Sequence, residues 1–94
     1  MKVTVVGLVT PHLLRVLDLA KEAESGVTVD WHLRDAVAKT VEDLSQQYNA
    51  PELLAAYVHG LETAAQDVGK GRFAYASALK SAAAQAARHV KDRA

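Results

Sequence analysis

Four histidines, at positions 12, 32, 59 and 89, are the side chains best suited to proton or metal chemistry near neutral pH. Three of them stand three residues before a carboxylate: His32 before Asp35, His59 before Glu62 and His89 before Asp92. On a helix that spacing puts both groups on one face. A carboxylate-bridged metal centre needs such a pair plus further ligands from facing helices, and each place shows only the pair. Solvated or hydrogen-bonded histidines are the simpler expectation, so neither a metal nor another cofactor is expected. Gly69-Lys70 invites comparison with a phosphate-binding loop. That loop needs a glycine five residues before its Gly-Lys pair and Ser or Thr after the lysine, where this chain has Ala64 and Gly71. Ser25, Ser45, Ser77 and Ser81 lack the neighbours of a nucleophile elbow. Trp31 and Tyr48 are expected to anchor the edge of a core rather than stack on a ligand. With no acid, base and nucleophile set in view, the chain is not expected to be an enzyme.

The elements that would position any site must be built from a particular composition. The chain has 94 residues, which suits one domain over 1–94. Half of it is hydrophobic but only 5% is aromatic, so the core has to come from Leu, Val and many alanines. There is no cysteine, which rules out disulfides and thiolate metal sites and fits a reducing, cytoplasmic setting. The apolar run Val3 to Val9 is soon followed by Pro11, His12 and Arg15, an early interruption for a secretion signal. No apolar run approaches the roughly 18 residues of a membrane span. Net charge is zero but unevenly spread: residues 1–17 carry +2, 18–67 carry −7 and 68–94 carry +5. The basic last stretch either lies against acidic neighbours of its own fold or forms a patch for phosphates.

The opening stretch, Met1 to Val9, is dense in β-branched residues: Val3, Val5, Val6 and Val9, with Leu8. That composition predicts a strand. Thr10 and Pro11 fit the cap and first residue of a helix reaching about Glu24, closed by Gly26. A second helix is predicted over 30–48, where Leu33, Val37, Val41, Leu44 and Tyr48 recur at helical spacing. A third runs from Pro51 to Val68, with Gly60 inside it where a close helix contact is expected. The fourth runs from Arg72 to Arg93 and turns Phe73, Ala76, Leu79, Ala83, Ala87 and Val90 toward a partner helix. The expected fold is therefore mainly α, with one N-terminal β-strand followed by four helices. A lone strand leaves backbone amides unpaired, and a second copy of the chain is the simplest mate.

Val3-Thr4-Val5, then Leu8 through Leu14, then Gly26-Val27-Thr28 followed by Leu33 through Val37 give strand, Thr-Pro, helix, turn, helix. In that order residues 1–48 resemble the ribbon-helix-helix family of DNA-binding dimers. Residues 49–94 would be a helical extension, a hairpin over 50–93. The resemblance implies two strands paired antiparallel between two subunits and inserted in the DNA major groove. It places Val3, Val5, Gly7 and Val9 on the buried ribbon face, with Lys2, Thr4, Val6 and Leu8 outward. It implies DNA contacts from Lys2, Thr4, Val6, Thr28 and Val29, the last two holding a phosphate at a helix N-terminus. It implies a dimer interface of Val3, Val5, Val9, Leu33 and Val37. Val6 and Leu8 offer bases no hydrogen bonds, and Asp30 would repel a phosphate.

Two functions are expected from this reading. The first is a homodimeric DNA-binding transcriptional regulator or antitoxin-type repressor. The second is a non-enzymatic protein-interaction module that binds its partner through Val6, Leu8 and the small-residue face of the last helix around Ala83.

Overall fold

A computed structural model of the chain describes residues 5–26, 29–68 and 72–93. Among these residues there are four helices: α1 (Val5–Ala23), α2 (Asp30–Ser45), α3 (Ala50–Asp67) and α4 (Phe73–Arg93). No strand occurs among the described residues. The expected N-terminal strand is thereby corrected for residues 5–9, which form the start of α1. Residues 1–4, including Lys2, Val3 and Thr4, lie outside the described residues.

The reason lies in where the apolar side chains recur further on. Val9, Val16 and Ala20 are buried, and Val5 and Leu13 pack against the same core. The spacing from Val5 through Val9, Leu13, Val16 and Ala20 is four, four, three and four, a helical stripe about four turns long. Val5 and Val9 satisfy both a period of two and a period near four, so the first nine residues alone cannot separate strand from helix. Burial along the whole stripe decides for helix over local β-propensity.

Pro11 is consequently inside α1 and not at its start. Its nitrogen donates nothing to the helix, and its ring presses on the carbonyl four residues back. That residue is Gly7, which brings no side chain of its own to the crowded place. α1 ends at Ala23, and Gly26 takes the left-handed conformation, φ 85°, that turns the chain toward α2.

The other boundaries follow the expected ones within a few residues. In α2 the buried stripe is Leu33, Ala36, Val37, Thr40, Val41 and Leu44. α2 stops at Ser45, so Tyr48 falls beyond it and is 98% exposed; Trp31 is 69% exposed. Neither anchors the core edge. In α3, Leu53, Leu54, Tyr57, Leu61 and Ala65 are buried. In α4 the inward face is Tyr75, Ala78, Leu79, Ala82, Ala83 and Ala86, while Phe73 is 84% exposed. The face is rotated by about one residue from the one expected, because a helix rich in alanine offers several nearly equal stripes.

The four helices run alternately up and down. His12 meets Thr40 across the α1–α2 hairpin, and the Tyr75 amide at the start of α4 donates to the Glu24 carboxylate just past α1, at 3.0 Å. All six helix pairs touch. The Cα envelope is 39 × 28 × 16 Å, two helix layers thick. Gly60 lies where α3 crosses α1: a Cβ there would come within 2.7 Å of Leu13 Cδ1. The close contact expected at that glycine is present.

Candidate functional site

Of the DNA contacts implied by the ribbon-helix-helix resemblance, only Val6 and Val29 fall among the described residues. Lys2, Val3, Thr4 and Thr28 lie outside the described residues, and Val6 is within α1. Val29 is 3% exposed, and its carbonyl accepts the Leu33 amide at 2.8 Å, so its side chain belongs to the core. Reading a groove with a paired ribbon requires extended backbone, and residues 5–9 are helical. Val5 is half-buried, and Val9, Leu33 and Val37 are 1%, 1% and 0% exposed inside the single chain. These four side chains of the implied dimer interface thus pack within one molecule.

The histidine–carboxylate pairs stay on helix surfaces. Among the described residues no group of three His, Asp or Glu side chains could hold a metal ion. His32 sets its ring edge-on to Trp31, with centroids 5.2 Å apart. His59 is exposed. His12 alone enters a polar contact between helices: its Nδ1 lies 3.5 Å from Thr40 Oγ1. Thr40 is buried and reaches the neighbourhood of Tyr57, whose side chain is fully buried with its hydroxyl oxygen lacking a hydrogen-bond partner. Burial pushes the Tyr57 phenol up to about 12, and the Thr40 side chain works against that shift. Sequence reasoning missed this junction, because Thr40 stands outside the expected α2 stripe and the spacing of Tyr57 reads simply as that of an apolar side chain.

The basic side chains of α4 divide between two grooves. On one side a hollow of about 330 Å³ separates α4 from α3, with Lys80 sharing the rim with Glu62 and Gln66 and Ala83 and Ala87 lining it. On the other side a groove of about 590 Å³ runs between α4 and α2. Here Arg88 and His89 from α4 share the lining with Arg34 from α2. Lys80 thus shares its hollow with an acid, whereas Arg88 shares its groove with another arginine.

A third surface is the outward side of α1. Between residues 7 and 14 the exposed positions are Gly7, Leu8, Pro11 and Leu14, and none of them carries charge. Leu8 is 41% and Leu14 54% exposed. Charge returns to this face only at Arg15 and Asp18. Ala83, by contrast, is 6% exposed, so the inward side of α4 offers no free face for a partner. No helix among the described residues is long and apolar enough to cross a membrane. No family model, no curated protein and no solved structure matches the chain.

Proposed function

We propose that the chain is a non-enzymatic protein-interaction module, and that the partner on its α1 face is a second copy of itself. The observation that carries this reading is the uncharged outward stripe of α1, with Leu8 and Leu14 half out in water. Apolar surface withdrawn from water contributes ~25 cal/mol per Å², so a partner covering both leucines gains directly. The chain's zero net charge lets two copies approach without self-repulsion. Docking would place the two α1 helices side by side, with Gly7 allowing close backbone approach.

Sedimentation equilibrium tests it. The wild-type chain is expected to self-associate, and Leu14→Glu to sediment as a monomer with its helical circular dichroism and melting midpoint retained. A wild type that stays monomeric at millimolar concentration, or a Leu14→Glu variant that dimerises as before, would remove the reading.

A further inference from the structure

We infer that the two copies meet antiparallel, α1 against α1, about a two-fold axis that passes beside Pro11 of each chain. This rests on the self-association of the α1 face, and adds how the second copy is seated on it. Three observations carry it. First, the exposed positions are symmetric along the chain. Between residues 7 and 15 they are Gly7, Leu8, Pro11, Leu14 and Arg15. Leu8 stands three residues before Pro11 and Leu14 three after, while Gly7 stands four before and Arg15 four after. A two-fold contact pairs residue i with j and j with i. A face whose positions repeat on both sides of its centre therefore covers itself when the second copy is reversed.

Second, the reversed arrangement matches large side chains with small ones. It brings Leu14 and Arg15 of one copy level with Leu8 and Gly7 of the other, once at each end of the contact. Gly7 has no side chain, so the surface there leaves a gap for Leu14 of the second copy, beside Leu8. The two leucines, 41% and 54% exposed, are then covered together. A parallel pair would set Leu14 level with Leu14 and Gly7 level with Gly7, crowding one height and leaving the other open.

Third, charge disfavours the parallel alternative. With the helices parallel, each Arg15 lies level with Arg15 and each exposed Asp18 with Asp18. Reversed about Pro11, the two Arg15 are eight residues apart along the axis and the two Asp18 fourteen, which is about 12 Å and about 21 Å at the helical rise. Both distances exceed the ~8 Å over which exposed charges feel one another at physiological ionic strength. The contact uses the same patch of both chains, so it closes at two copies and leaves no open α1 face for a third.

The chain has no cysteine, so one introduced thiol carries one spin label. Glu22→Cys puts it at an exposed position of α1, eleven residues from Pro11. Pulsed dipolar spectroscopy on the labelled full chain reads the separation within the pair. The reversed pair is expected to hold the labelled Cα atoms about 30 Å apart or more, whereas a parallel pair holds them within about 20 Å, from the helical rise and the usual spacing of packed helices. Adding Leu14→Glu to the labelled chain should remove the dipolar signal at the same protein concentration. A separation below about 25 Å that Leu14→Glu abolishes would overturn the antiparallel seating and leave self-association through α1 standing. A signal that persists in Leu14→Glu, or a wild type that sediments as a monomer, would remove the α1 reading itself and the seating with it.

Discussion

Tyr57 keeps a hydroxyl group in a place where water cannot reach it, with Thr40 beside it but no hydrogen bond of full geometry. Removing that oxygen should cost little: Tyr57→Phe is expected to change stability by less than about 1 kcal/mol, in either direction, as judged by urea denaturation. The same residue gives the fold a pH dependence at high pH. Its folded pKa, about 12, lies above the ordinary 10.0, so the folded state holds the proton more tightly than the unfolded one. The contribution is complete below pH 10 and is lost as pH rises toward 12. Denaturation midpoints measured between pH 9 and pH 12, values chosen around that window, should fall for the wild type. In Tyr57→Phe the Tyr57 part of the fall should be absent. Nothing in the sequence singled out this residue. Its spacing from Leu54 and Leu61 marks it as core, and only the packing reveals that its polar end is enclosed too.

At the scale of elements, α1 is the informative case. The sequence reading placed Pro11 at a helix start, where its missing N–H is free of consequence. In the fold it is the seventh residue of a helix 19 residues long. The two placements differ in a measurable way. Pro11→Ala should stabilise the fold by about 1–3 kcal/mol, because a donor returns to the helix interior and the ring clash goes. A thermal melt that does not move would instead fit a proline in the first turn. The remaining helices were legible because their stripes are long: Leu33 to Leu44 and Leu53 to Ala65 admit only one period. α1 was legible only from Pro11 onward, since its first residues suit a strand and a helix equally. Gly60 gives a second test at this scale. A methyl there meets only the flexible tip of Leu13. Gly60→Ala should therefore be more favourable in a Leu13→Ala background than in the wild type, with a coupling of about 0.5–3 kcal/mol in a double-mutant cycle.

For the whole molecule, the arrangement of charge was half legible. The sequence showed a basic final segment and left two destinations open. In the fold Lys80 lines a hollow together with Glu62, and Arg88 lines a groove together with Arg34. Which cation went where depends on the rotation of α4, and its alanines hide that rotation. The exposed aromatics illustrate the same difficulty. Phe73, Trp31 and Tyr48 lie at or beyond helix ends, where a periodic stripe no longer fixes direction. Their substitution by Ser should alter stability by less than about 0.5 kcal/mol, whereas Leu61→Ala, at 0% exposure, should cost about 2–5 kcal/mol. Melting midpoints of the four variants would sort surface from core.

The bond from the Tyr75 amide to the Glu24 carboxylate has a further consequence. The first turn of any helix has donors that its own backbone leaves unmet. Here one of them is answered by a residue 51 positions earlier in the chain. The last helix thus borrows its beginning from the end of the first. A peptide of α4 alone should fray at that terminus, and so should a chain trimmed of its first helix, so the protein should melt in one cooperative step and not helix by helix.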